Sequence, residues 1–306
     1  MDGGEGIAEP AAAEREISPL GRISAFFHRH KGAKLALLLG PPLGWMLVVY
    51  LGALSLLFLS AFWSQNPLTA EIERVWTLNN FKDLVGNDVY RTIALRTVGV
   101  AAAVTIADLI LAFPLAYYAQ RIARPRVRTL LLLSVVLPLW SSYLVRVYAW
   151  RVILSGNGIL NWTLAKLHLG QLEIGYSTWA IWLTFTYLWL PFVVLPIYAS
   201  LERVSGSFFE ASADLGATWL TTLRRVVIPM AMPGIVAGSI FSFSLTLGDY
   251  IAPQLVGNTQ FIGNVVYQSV GIANDIPFAA AFALVPVAIM GLYLWGARRL
   301  GAFEAL

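Results

Sequence analysis

Ionisable side chains inside apolar stretches are the places where this 306-residue chain could do chemistry. A charge within hydrocarbon is costly, and it is kept where it serves a path or a partner. Asp108 falls midway along one apolar run. Asp249 stands in Leu247-Gly248-Asp249-Tyr250-Ile251-Ala252-Pro253, where the flanking glycine and proline loosen a helix and expose backbone carbonyls. A cavity wall carrying that carboxylate and Tyr250 suits an organic cation, through ion pairing and cation–π attraction. The plainer readings are a locally satisfied kink residue for Asp249 and, for Asp108, a buried carboxylate bonded to a Ser, Thr or Arg. Arg96 and Arg146 lie near the ends of their runs, where long side chains reach the interface.

Enzymatic chemistry finds little support. His28 and His30 precede the first apolar run and His168 falls in a loop, so no histidine pair faces a cavity. No Gly-x-x-x-x-Gly-Lys-Ser/Thr occurs to cradle nucleotide phosphates, and no Gly-x-Ser-x-Gly or His-Glu-x-x-His occurs either. The chain has no cysteine, hence no disulfide framework and no thiolate metal site. An intramembrane enzyme using Asp108 and Asp249 as a carboxylate pair is the one catalytic option the residues leave.

The elements that must hold these residues are membrane helices. The chain is 58% hydrophobic and 12% charged, with mean hydropathy +0.69, too little charge to cover a soluble domain. Six apolar runs, at 35–63, 92–118, 129–150, 178–200, 234–256 and 278–297, each approach the ~20 residues that span a bilayer. In lipid each backbone amide must bond within its segment, so the runs predict helices. Trp63, Tyr117, Tyr118, Trp150, Trp179 and Trp295 sit at run ends, where aromatic rings favour the interface.

Basic residues predict the orientation. Arg22, Arg29, Lys31 and Lys34 precede the first run. Arg121, Arg124, Arg126 and Arg128 follow the second, Arg203, Arg224 and Arg225 follow the fourth, and Arg298 and Arg299 follow the sixth. The alternate loops are poorer in basic residues, with Arg74, Lys82 and Arg91, then Arg151 and Lys166, then none. Both termini are therefore expected in the cytoplasm. Residues 1–34 read as a cytoplasmic tail, Gly/Ala/Glu-rich and disordered over 1–19, without the basic-then-apolar order of a signal peptide. Residues 35–300 read as one membrane domain, with a long loop at 201–233.

That loop is the most specific stretch in the chain. Glu210-Ala211-Ser212-Ala213-Asp214-Leu215-Gly216-Ala217 runs on to Val226-Val227-Ile228-Pro229. It reads as two short helices with a turn at Gly216, where a side chain would obstruct. Pro229 and Pro233 then lead into the next apolar run. Small Ala211, Ser212, Ala213 and Ala217 permit close approach by another protein, and Glu210 and Asp214 offer carboxylates to basic partners. As a plain alternative, the stretch is an amphipathic interfacial helix.

In its Glu-Ala-Ser order, Gly216 and Ile228-Pro229, the stretch resembles the "EAA" cytoplasmic loop of binding-protein-dependent ABC importer permeases, with Ser212 where the motif has Ala. Thr77-Leu78-Asn79-Asn80-Phe81 resembles a segment that many such permeases carry before the second helix. A narrower likeness is to the spermidine/putrescine permease branch. It rests on the stretch from Leu139 to Trp150, which includes Tyr143 and Arg146, on Gly248–Pro253 with Leu255-Val256-Gly257, and on Asn274–Ala281. Branch members often carry Glu at the Asp249 position.

The resemblance, over roughly residues 35–300, implies an all-α, six-helix type I importer (MetI-like) fold in a bacterial inner membrane. It implies that Glu210, Ala211, Ser212, Asp214, Gly216, Ala217 and Pro229 couple to an ATPase dimer, and that ATP and Mg are bound by that partner, with no cofactor or metal in this chain. A second permease subunit and an extracytoplasmic substrate-binding protein complete the expected assembly. The expected solute is a small cation such as spermidine or putrescine, its path marked by Asp249, Tyr250, Asp108, Tyr143 and Arg146. An opine, an amino-acid-like or another nitrogenous solute is the alternative. A secondary transporter and a non-transporting scaffold remain as other classes. The first calls for paired inverted repeats with broken helices, and none is seen.

Overall fold

The computed structural model describes residues 31–66 and 69–299, so the acidic tail, Arg22 and Arg29 lie outside the described residues. By its contacts the chain divides at Leu56, and each part is described by itself. The first part is helix α1 (Lys31–Met46), one wide π turn (Leu47–Leu51) and the beginning of α2 (Gly52–Ser60). Pro41 and Pro42 lie inside α1 and remove amide donors. Every side chain over 35–51 is exposed within this part.

The second part is a bundle arranged around α8 (Thr178–Glu202), which buries Ile181, Phe185, Leu188, Val193, Val194, Ile197 and Leu201. Two long helices pack along it. They are α4 (Asp88–Arg121) and α11 (Ile228–Gly248), and they also contact each other. The α8–α11 crossing depends on having no side chains at two positions. A Cβ on Gly234 would lie 2.3 Å from the Pro196 carbonyl oxygen, and one on Gly238 would lie 3.0 Å from Val193 Cα. Small residues of this kind let membrane helices approach backbone to backbone.

The shorter elements sit at the ends of the spans. A two-residue ribbon of β1 (Ser64–Gln65) and β2 (Ile72–Glu73) precedes α3 (Asn79–Gly86). It pairs antiparallel with Ser64 opposite Glu73. Beyond α4 come α5 (Pro125–Val136), α6 (Tyr143–Leu154) and α7 (Ile159–Lys166). Helix α9 (Gly206–Asp214) and α10 (Trp219–Thr222) precede α11. Helices α12 (Ile251–Val256), α13 (Ile262–Gly271) and α14 (Ile276–Arg299) close the described chain.

Among the described residues, five helices are long and apolar enough to cross a membrane, and the bent pair Pro125–Trp140 with Tyr143–Lys166, counted as one span, makes six. That pair departs from the single uninterrupted run expected over 129–150. The helix tightens into a 3₁₀ turn at Leu137–Trp140, stops, and restarts at 102°. Ser141 brings both its amide, at 3.2 Å, and its Oγ, at 2.7 Å, to the Pro138 carbonyl. A serine that satisfies the last carbonyl itself ends the ladder.

The fifth span differs in the opposite sense. Pro229 does not interrupt it, since helix runs from Trp219 to Gly248. A wide π turn at Leu223–Val227 ends two residues before the proline and takes up its ring and missing amide. The break comes later, at Asp249, whose backbone is extended (φ −76°, ψ 135°).

Candidate functional site

Two places gather the residues singled out by the sequence. The first is the elbow between α8 and α11. Helix α9 ends as a glycine-closed C-terminus. Gly216 adopts φ +74°, its amide donates to Ala213 O at 2.8 Å, and the Ala217 amide donates to Ser212 O at 3.0 Å. This pairing satisfies carbonyls that the helix end leaves free. The Thr218 side chain then accepts from the Thr221 amide and starts α10. The two limbs are braced from inside, with the buried hydroxyls of Ser212 and Thr222 2.7 Å apart.

The outer face of the elbow is apolar and open. Leu215 is 87% exposed, and Phe208, Trp219 and Leu220 are exposed with it. A hollow of about 620 Å³ lies among Phe208, Ala211, Leu215, Ala217, Arg225 and Val226. Glu210 and Asp214 are exposed, and neither forms an ion pair with a described residue. An apolar patch edged with free carboxylates is the pattern of a protein-docking surface. Pro229 lies apart from the turn, at the second position of α11.

The second place is where two helix breaks meet. Tyr143 opens α6 just after the 102° bend, and Asp249 closes α11. The Tyr143 hydroxyl donates to Asp249 Oδ2. Asp249 Oδ1 accepts from the Ala252 amide at 2.9 Å, which starts α12. Tyr143 is stacked on Trp189 of α8, with ring centres 6.0 Å apart. The Arg146 guanidinium lies 6.0 Å from the Tyr143 ring centre, and its buried Nε has no hydrogen-bond partner among the described residues.

Tyr250 turns instead to Tyr267, stacking at 4.6 Å, while its carbonyl accepts from Asn264 Nδ2 at 2.7 Å. The junction thus joins the Asp249 carboxylate, Tyr143, Trp189 and Arg146, with the Tyr250–Tyr267 stack next along the chain. A protonated amine could exchange with the Tyr143 hydroxyl at Asp249 and rest against aromatic faces.

Asp108 is not part of that cluster. It is fully buried in α4, where Oδ2 accepts from Ser242 Oγ of α11 at 2.6 Å and Oδ1 has no partner among the described residues. Ser242 precedes Asp249 by about two helical turns, so Asp108 acts as a bond between α4 and α11. Arg96 is half-buried and lines a separate surface hollow with Thr92, Asn258 and Gln260.

Sequence reading missed the partners rather than the centres. Ser242, Thr222, Trp189 and Asn264 are polar or aromatic residues in apolar helices, and no local pattern pairs them with Asp108, Ser212, Tyr143 and Tyr250. Arg121 counted only toward orientation. It donates to the Val204 carbonyl at the root of the elbow.

Comparison with known proteins agrees with this architecture. A chain from the crystal structure of a bacterial alginate ABC transporter, in complex with alginate pentasaccharide-bound periplasmic protein, superimposes with a TM-score of 0.73. The match covers 91% of this chain and 98% of that one at 16% identity, which establishes the shared fold. The inner membrane ABC transporter permease protein YdcU of Escherichia coli (strain K12) is 45% identical over 301 residues, 94% of this chain and 96% of the relative. The spermidine/putrescine transport system permease protein PotB of the same organism is 32% identical, over 84% of this chain and 95% of its own. The family model for the binding-protein-dependent transport system inner membrane component matches residues 101–298, from the middle of α4 through the elbow and both helix breaks to the end of α14. With the model spanning both sites and relatives aligning nearly end to end, the chain belongs to that family, the multi-pass inner-membrane permease subunits of ABC transporters, which are not enzymes themselves.

Proposed function

We propose that this permease opens a path for a small protonated amine, of the polyamine kind, and is driven by a separate ATPase that grips the elbow. The observation that carries the solute class is the Asp249–Tyr143 bond at the meeting of two helix breaks. It places one carboxylate among aromatic rings, where an ammonium group can replace a hydroxyl as donor. The 32% identity to a spermidine/putrescine permease supports the same class. A second reading is an opine, amino-acid-like or other nitrogenous solute, since the relative at 45% identity has a name that specifies no solute and so does not select the polyamine kind.

In this reading residues 1–34 are a cytoplasmic tail and 35–300 the membrane domain, with its coupling loop at 201–233. Both termini and the elbow face the cytoplasm, on the strength of the arginines at 121–128, 203, 224–225 and 298–299. The ATPase dimer holds ATP and Mg, the exposed Leu215 face and Glu210 and Asp214 meet it, and a second permease subunit and an extracytoplasmic binding protein complete the complex. Closure of the ATPases moves the elbows together, and the packed α4, α8 and α11 rock as rigid bodies. The test is uptake by the reconstituted transporter with saturating binding protein, so that the permease and not capture sets the rate. Asp249→Asn is expected to slow uptake of a diamine about tenfold, the loss of roughly one charge-assisted bond. Unchanged uptake would remove Asp249 from the path.

A further inference from the structure

The last residue of α4 is fastened to the elbow. Arg121 donates to the carbonyl of Val204, a residue only 2% exposed that lies between the end of α8 and the start of α9. The same guanidinium lies 4.6 Å from the ring centre of Phe209, midway along α9. One planar cation thus holds both the hinge and the first limb of the elbow. Its Nε, buried and without a partner among the described residues, leaves these two contacts as its anchors.

We infer that Arg121 is the strut that carries elbow displacement into the membrane helices. It is a positioning residue for coupling, and the inference rests on the reading of the elbow as the ATPase handle. The path beyond it is continuous. Phe209 packs against the core formed by Ala112 and Ala116 of α4 with Val227 and Ala231. Farther along α4, Asp108 is bonded to Ser242 of α11. A push on α9 therefore reaches α4 through Arg121 and α11 through Asp108. Arginine is needed because it stacks through its face and donates through its edge at once, which a lysine ammonium cannot do. Arg128 offers an internal comparison. It lies 5.1 Å from the Tyr198 ring and 3.5 Å from Glu202 of α8, and it touches no residue of α9 in these contacts. An exposed pair of that kind contributes little.

The test uses the whole transporter (both permeases, ATPase and binding protein) in proteoliposomes. Solute taken up per ATP hydrolysed is measured alongside ATPase retention on the tagged permease. Arg121→Gln is expected to keep the ATPase but to lower solute per ATP about tenfold, within the range by which a coupling contact shifts linked equilibria. Phe209→Leu should show the same split, Arg121→Lys a smaller one, and Arg128→Gln none. Normal stoichiometry in assembled Arg121→Gln and Phe209→Leu complexes would overturn the strut. So would loss of the ATPase from both, because Arg121 would then only shape the docking face. Leu215→Asp separates the two readings. It should release the ATPase if the elbow is the handle, and its retention would sink the handle reading whatever Arg121 does.

Discussion

At the scale of single residues, the buried polar groups divide into those that hold helices together and those that can exchange partners. Asp108 has one visible bond, to Ser242, in a fully buried setting. Ser242→Ala leaves that carboxylate without its donor, and stranding a buried acceptor costs about 1–3 kcal/mol. The expected result is a lower melting temperature in detergent for Ser242→Ala, with Ser242→Thr close to wild type. Equal melting temperatures would mean that Asp108 is satisfied some other way. Gly216 is a case of backbone alone. No atom lies within 4 Å of where its Cβ would stand, yet its φ is +74°. Gly216→Ala therefore meets no clash and pays only the left-handed cost, about 1 kcal/mol. It should weaken ATPase retention modestly, whereas Gly216→Trp adds bulk on the docking side and should abolish it. A pull-down with the purified ATPase measures both.

At the scale of elements, the α8–α11 crossing is a joint with no room for a side chain at Gly234. The Cβ of Gly234→Ala would meet the Pro196 carbonyl oxygen at 2.3 Å and Ser200 Oγ at 2.4 Å, so the helices must separate. Overpacking of this sort costs about 1–3 kcal/mol. Gly99→Ala in α4 meets nothing within 4 Å and serves as the neutral comparison. Thermal unfolding in detergent is expected to fall clearly for the first variant and to hold or rise slightly for the second. The spans themselves were legible, because a long apolar run has one solution in lipid. The loosening at Asp249 was marked by its flanking glycine and proline, but the break at Ser141 and the continuity through Pro229 were not. Pro138 ends a helix with help from Ser141, while Pro229 sits inside a continuous one behind a π turn. The same residue type gives opposite outcomes because the decision lies in which group takes the freed carbonyl. The elbow could be read because Gly216 and its small neighbours are adjacent in sequence. The Tyr143–Asp249 bond spans 106 residues and appears only once the fold brings two breaks together.

At the scale of the whole molecule, orientation decides whether the elbow can meet an ATPase at all, and this chain is well suited to testing it. It has no cysteine, so a single introduced thiol is the only one that a maleimide can find. Leu215→Cys places that thiol at the most exposed apolar position of the elbow, 87% accessible, with Gly156→Cys, in the loop between α6 and α7, as its counterpart on the opposite loops. Arginines concentrated beside the elbow predict that it faces the cytoplasm. In intact spheroplasts a membrane-impermeant maleimide should therefore label the Gly156→Cys protein and leave the Leu215→Cys protein unlabelled. In inverted vesicles stripped of the ATPase the pattern should reverse. Adding the purified ATPase back should then protect Leu215→Cys, because docking buries that face. Labelling of Leu215→Cys from outside intact cells would put the elbow beyond the reach of any nucleotide-driven partner, and labelling without protection would leave the face open to something other than the ATPase.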